Sequence, residues 1–295
     1  SGFFYESQLT KQEPAYQNIP KVSLKEMHWR KMSYSALTVE HKAVHKQEVF
    51  TSKNEYDHFV FSALKKGARI GNILHDVLET IDFQHQSSWT WPIANVADQV
   101  TSLPETEATD MMHQLLEHTV QSILTTSDDS FTLQQISRSV RLPELEFDFP
   151  VSSFPLENLH ALSPDQTPWR VKNTEDLEGM MNGFIDLLFE HNGKYYILDW
   201  KSNYLGASLD SYTTQALNAA MTDHNYHLQY HIYIIAVCKF LSIRMPSFDY
   251  NVHFGGVFYL FLRGLRSGDT TGVYFNRPDA TLIHELMRAI DPKTA

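Results

Sequence analysis

Two carboxylates and an ammonium group lie close together near the middle of the chain. Asp186 ends Gly183-Phe184-Ile185-Asp186, and Asp199 and Lys201 flank Trp200 in Asp199-Trp200-Lys201. Between the two stretches, His191-Asn192-Gly193-Lys194 carries Asn-Gly, the pair favoured in a two-residue hairpin turn because both residues tolerate positive φ. A tight turn there makes positions that sum to about 385 face each other, which sets Asp199 opposite Asp186 to within a residue of register. Alternate residues of a strand share a face, so Asp199 and Lys201 point one way. Trp200 points the other way, toward packing, and leaves its backbone carbonyl near the carboxylates. Like charges this close are costly unless a cation lies between them. Hard oxygen donors favour Mg²⁺ or Mn²⁺ over zinc. A divalent cation held against a phosphodiester, with a water activated beside it, is the minimum apparatus for hydrolysing that ester. The bland alternative is an exposed hairpin with ordinary charges. Asp-x-Lys alone is common, and its register with Asp186 across the turn favours the chemical reading.

The elements that must position these groups follow from periodicity. Residues 181–190 and 194–201 read as the hairpin strands. Residues 67–82 form an amphipathic helix with Ile70, Ile73, Leu74, Val77, Leu78 and Ile81 on its apolar stripe. His75 and Glu79, four apart, share a face at the edge of that stripe. Taken alone, they are a hydrogen-bonded histidine and a solvated glutamate. Further helices are expected at about 92–102, 107–125, 213–223 and 226–243, and a last one from Pro278, which suits a first helical turn. A strand is expected over 142–151, with Pro143 marking an edge or a strand start. A strand pair is expected from about 252 to 275. Ser33 is placed as the N-cap of a short helix. Residues 41–66 read as a mobile loop, 163–178 as a loop, and 1–28 as a linker. Glu144 and Glu146 alternate on one strand face, and Gln229 and Tyr233 stand one helical turn apart.

The 295-residue chain is 42% hydrophobic and 20% charged, enough for a large core. Its net charge of −11 argues against gripping nucleic acid with the whole surface, though a local basic channel or a partner that delivers the strand is compatible with it. The single cysteine, Cys238, rules out a disulfide framework or a four-cysteine cluster and reads as a small buried hydrophobe. Neither a membrane-spanning run nor a signal-peptide pattern is read, so no membrane partner and a cytoplasmic location are expected. The chain carries no Gly-x-x-x-x-Gly-Lys-Ser/Thr loop, hence no P-loop motor.

Gly183-Phe184-Ile185-Asp186-Leu187 and Tyr196-Ile197-Leu198-Asp199-Trp200-Lys201-Ser202-Asn203-Tyr204-Leu205-Gly206 resemble the nuclease domain of RecB, within the PD-(D/E)XK nucleases. The likeness continues through Leu228-Gln229-Tyr230-His231-Ile232-Tyr233 and through 254–264, covering roughly residues 30–295. It implies an α/β fold: a restriction-endonuclease-like core with a mixed central sheet flanked by helices and an added N-terminal helical part, over residues 29–295. It implies Asp186, Asp199, Lys201 and Glu144 as catalytic residues. The metal ligands implied are His75, Asp186, Asp199 and the Trp200 carbonyl, with Mg²⁺ as cofactor and Mn²⁺ or Ca²⁺ able to replace it in binding. Gln229 and Tyr233 are assigned to DNA binding, by holding a phosphate or by orienting the lysine. The partners implied are single-stranded DNA from an unwound duplex, RecC-like and RecD-like subunits, and a helicase part of the same polypeptide. The activity implied is that of an exo- and endodeoxyribonuclease in double-strand-break repair and foreign-DNA degradation. The alternatives are an inactive nuclease fold used for docking, or another nuclease of the superfamily such as a phage-type exonuclease.

Overall fold

The computed structural model describes residues 30–37, 54–154 and 177–290. The expected linker at 1–28, most of the loop at 163–178 and the first part of the expected loop at 41–66 lie outside the described residues.

The hairpin forms as the spacing predicts. Strand β5 (Leu177–His191) and strand β6 (Lys194–Lys201) pair antiparallel from His191↔Lys194 to Leu187↔Leu198. Asn192 and Gly193 take φ of 51° and 78°, the left-handed pair that a two-residue turn requires. Strand β4 (Arg141–Phe154) lies antiparallel along the other edge of β5. Strand β1 (Arg30–Met32) runs parallel to β5 at Gly179–Met181. Because β4 covers one edge of β5 along its length, β6 and β1 share the other edge, and they part company around Asp186.

Beyond β6, strand β7 (Phe254–Phe261) pairs parallel and strand β8 (Val273–Asn276) antiparallel, completing a mixed six-stranded sheet. Every residue of β7 is buried, as expected for a central strand covered on both faces. A short pair, β2 (Leu124–Thr125) and β3 (Ser130–Phe131), was not anticipated.

The N-terminal part is helical, in order α1 (Tyr34–Leu37), α2 (Glu55–His58), α3 (Ala68–Thr80), α4 (Thr90–Ala94), α5 (Ala97–Val100) and α6 (Glu105–Gln121). Helices α7 (Thr214–Asp223) and α8 (Tyr226–Arg244), with the single turn α9 (Tyr250–His253), make the crossover between β6 and β7. Every residue of α8 from Leu228 to Cys238 is buried.

Three expectations change among the helices. Residues 54–63 are a capped helix running into a π-turn, with Phe59, Val60 and Phe61 buried, so the last part of the expected mobile loop is core. The expected helix at 92–102 is two short helices. Asn95 turns its side chain back to the Trp91 carbonyl, at 2.9 Å, a local bond that competes with helix propagation. The last helix, α10 (Ala280–Ile290), starts after Asp279, whose carboxylate accepts from Thr281 N–H at 2.7 Å.

Helix α3 is as predicted, with Ile70, Leu74, Val77 and Leu78 buried. Gly71 sits in its interior, where glycine costs roughly 1 kcal/mol relative to alanine. A Cβ there would meet Ser202 Oγ at 2.9 Å, so the glycine lets α3 approach the end of β6. Arg263, also buried, ties the same region together. Its guanidinium donates to the carbonyls of Val60, Leu64, Lys65 and Ser202.

Candidate active site

Registers on both sides of β5 converge on Asp186. Pro143↔Leu187 and Leu145↔Ile185 set Glu144 opposite it on β4, and Leu187↔Leu198 sets Asp199 opposite it on β6. Three carboxylates therefore stand in a row across three strands. Glu144 has φ 46°, a strained value for a non-glycine residue, and interrupts the ladder at the level of Asp186. On the other side, the Asp186 carboxylate accepts from Trp200 N–H at 2.8 Å, which holds β6 as it leaves β5.

Helix α3 supplies the fourth group. His75 Nδ1 lies 3.4 Å from Asp186 Oδ2, and its Nε2 lies 3.0 Å from the Trp200 carbonyl oxygen. His75, Glu144 and Asp186 each present a ligand atom within 4.8 Å of the others. Asp199 is not in that trio. It is buried, with Oδ2 2.5 Å from Lys201 Nζ. Trp200 is buried edge-on to Phe83, as its alternation predicts.

Lys201 Nζ also donates to Gln229 Oε1 at 3.1 Å. That oxygen accepts from Tyr259 O–H at 3.0 Å, and Gln229 Nε2 donates to Tyr233 Oη at 2.9 Å. Gln229 and Tyr233 are both buried. Of the two roles expected of the pair, holding a phosphate or orienting the lysine, these hydrogen bonds are the contacts the second would use. Tyr226 and Tyr259 were missed in the sequence, and their rings lie 4.0 and 5.1 Å from Lys201 Nζ. Tyr259 faces Asp199 in the parallel β6–β7 register, which a long crossover hides from the sequence. Glu79 is exposed on the same face of α3, and Phe184, two residues before Asp186, is 50% exposed.

The electrostatics are those of crowded acids. Burial, and then Asp186, push the Asp199 carboxyl well above the usual carboxylate range despite Lys201. Burial, Asp186 and Glu79 raise Glu144. Burial pulls the His75 imidazole down, but Asp186 and Asp199 outweigh it and the net shift is upward. Burial likewise opposes the Lys201 ammonium, and Asp199 overcomes it, so the lysine stays charged.

These residues fit a hard divalent cation. Asp199 Oδ2 is buried, with the Lys201 ammonium 2.5 Å away. The remaining donors are two carboxylates, a backbone carbonyl and one imidazole, the oxygen-rich set that Mg²⁺ or Mn²⁺ prefers. A cation here would also offset the repulsion that raises Asp199 and Glu144.

Comparison with known proteins agrees with this geometry. A profile of the PD-(D/E)XK nuclease superfamily matches residues 50–291. The RecBCD enzyme subunit RecB of Escherichia coli (strain K12) is 35% identical over 224 residues, which are 74% of this chain and 19% of that protein. The RecB subunit of Haemophilus influenzae is 48% identical over 112 residues, 38% of this chain and 9% of that one. That of Buchnera aphidicola subsp. Acyrthosiphon pisum is 26% identical over 275 residues, 90% of this chain and 22% of that one. The matched region is thus about a fifth or less of the length of these relatives. A mixed sheet flanked by helices, three carboxylates in register across it and a matched profile over most of its length together mean that this chain belongs to the PD-(D/E)XK nuclease superfamily, as a RecB-like nuclease domain.

Proposed function

We propose that the chain is the Mg²⁺-dependent deoxyribonuclease module of a RecBCD-type helicase-nuclease, cutting single strands as a motor unwinds the duplex. One observation carries this: Glu144, Asp186 and Asp199 stand in register across β4, β5 and β6, with Lys201 beside them. Asp186, Asp199, Glu144, His75 and the Trp200 carbonyl would hold the cation. When bound, such an ion polarises a phosphate oxygen and makes a bound water more acidic. Lys201 orients the attacking water and faces the charge that builds on the phosphorus oxygens. Gln229 fixes the lysine by accepting a hydrogen bond from its ammonium, and Tyr259 and Tyr233 fix Gln229. In the net reaction the water oxygen bonds to phosphorus and one phosphorus–oxygen ester bond breaks, leaving a phosphate monoester and a hydroxyl end.

The relatives are RecB subunits of the RecBCD enzyme and extend far beyond the matched region. That supports a helicase part in the same polypeptide, RecC-like and RecD-like partners, and work in double-strand-break repair and foreign-DNA degradation. The test is cleavage of single-stranded DNA. The chain is expected to cut with Mg²⁺, to stop in EDTA, and to lose cutting in Asp199→Ala with its circular dichroism unchanged. Wild-type rates in Asp199→Ala would overturn the assignment.

A further inference from the structure

Beside Asp186 a cavity of about 260 Å³ opens between α3 and the start of β4. Its walls include Glu79, Phe83, Arg138, Arg141, Asp186 and Trp200. Arg141 is the group that ordinary packing does not explain. Its side chain is only 5% exposed, and its nearest carboxylate oxygen, on Asp82, is 3.8 Å from Nη2, too far for a hydrogen bond. Among the described residues the guanidinium donates no hydrogen bond, and its Nε is fully buried. Its Cζ lies 3.8 Å from the Phe83 ring centroid, a contact that holds it in place and meets none of its donors.

A guanidinium carries five N–H donors in a fixed fork, and burying even one unpaired, as at Nε, is costly. Arg138, exposed on the 3₁₀ turn Arg138–Val140 just before β4, adds a second positive charge that acts on Arg141. The cavity is therefore polarised. Its acids, Glu79 and Asp186, come from α3 and β5, and its two guanidiniums from the β4 side. The ligand that fits is an anion with several oxygens, because a phosphate matches the arginine fork with two parallel hydrogen bonds.

We propose that this cavity is a phosphate subsite, in which Arg141 with Arg138 holds a backbone phosphate of the nucleic-acid strand beside the one being cleaved. The inference rests on the nuclease reading and extends it to where the strand lies. The contact is to the backbone, so it positions the strand without reading its sequence.

The experiment is fluorescence anisotropy of the chain with a labelled oligothymidylate and a labelled mixed-sequence strand, in EDTA, across a NaCl series, with thermal melting in parallel. Arg141→Gln and Arg138→Gln are each expected to weaken both strands alike, by about three- to tenfold. The slope of log affinity against log salt should fall by roughly 0.7 for each phosphate that is no longer neutralised. Parental affinity and slope in both folded variants would overturn the proposal, as would a parent chain without salt-dependent binding. A lower melting temperature with an unchanged slope would show Arg141 to be a packing residue only. Should Arg141→Gln not fold, Arg138→Gln decides alone, since its side chain is on the surface. Because binding is read without cleavage, failure here leaves the Asp199→Ala result standing, and the reverse holds too.

Discussion

Lys201 is held by partners from three elements: Asp199 on its own strand, Gln229 on α8, and the rings of Tyr226 on α8 and Tyr259 on β7. A long flexible side chain loses much rotamer freedom in such a clamp, and the return is a charge fixed in one place. Asp199 outweighs burial and holds the lysine pKa above its usual value, which suits the orienting and charge-stabilising role proposed for it. Gln229→Leu removes the acceptor shared by Lys201 and Tyr259 and leaves a buried hydroxyl unpaired. We expect cutting to fall by at least about tenfold and urea stability to fall by about 1–3 kcal/mol. Single-turnover rates and a urea melt check both, and an unchanged rate would remove Gln229 from the positioning network. Asp186, Asp199 and Lys201 were legible in the sequence because a two-residue turn converts numbering directly into register. The clamp was only half legible. The helical spacing of Gln229 and Tyr233 shows that they share a face, whereas what that face meets depends on how α8 crosses the sheet. Arg141 was not legible at all, since an arginine before Leu-Pro reads as a strand start at the surface.

At the scale of elements, local signals succeeded where one period dominated and failed where packing overruled it. Helix α3 and the β5–β6 hairpin formed where expected. The helix at 92–102 broke because Asn95 satisfied a backbone carbonyl with its own side chain. The segment at 54–63 ordered because its aromatic run had a core to enter, which a count of charges cannot reveal. Register between β6 and β7 was also beyond local reading, because a long crossover separates them, yet a glycine marks it. A Cβ on Gly255 would lie 2.2 Å from the Tyr196 ring, which is buried among Phe131, Phe189 and Phe258. Gly255→Ala should therefore act as overpacking and cost about 1–3 kcal/mol, visible as a lower melting temperature. A neutral substitution would mean that β7 sits further from β6 than described.

For the molecule as a whole, the net charge of −11 repels polyanions on average, and the Arg138 and Arg141 side of the polarised cavity beside Asp186 is a local exception. No helix among the described residues is long and apolar enough to cross a membrane. Global stability carries its own acid dependence through His231, buried on α8 with Nδ1 2.6 Å from the His227 carbonyl. Burial lowers its pKa from 6.5 to about 4, against the pull of that carbonyl. Between those values the unfolded chain takes up a proton that the folded chain refuses. The stabilisation is complete above pH 6.5 and is lost as pH falls toward 4, by about 2 kcal/mol at pH 5. Urea midpoints at about pH 7 and pH 5 should show the drop, and His231→Leu should shrink it. An equal drop in the variant would assign the acid sensitivity elsewhere.

The four carbonyls gathered by Arg263 have a mechanical consequence. One rigid cation joins the segment ending at Lys65 to Ser202, the residue that follows Lys201. A displacement of that largely buried segment is felt at the end of the lysine's strand through this one guanidinium. The residue after Lys201 is thus tied to the N-terminal helical part by one side chain.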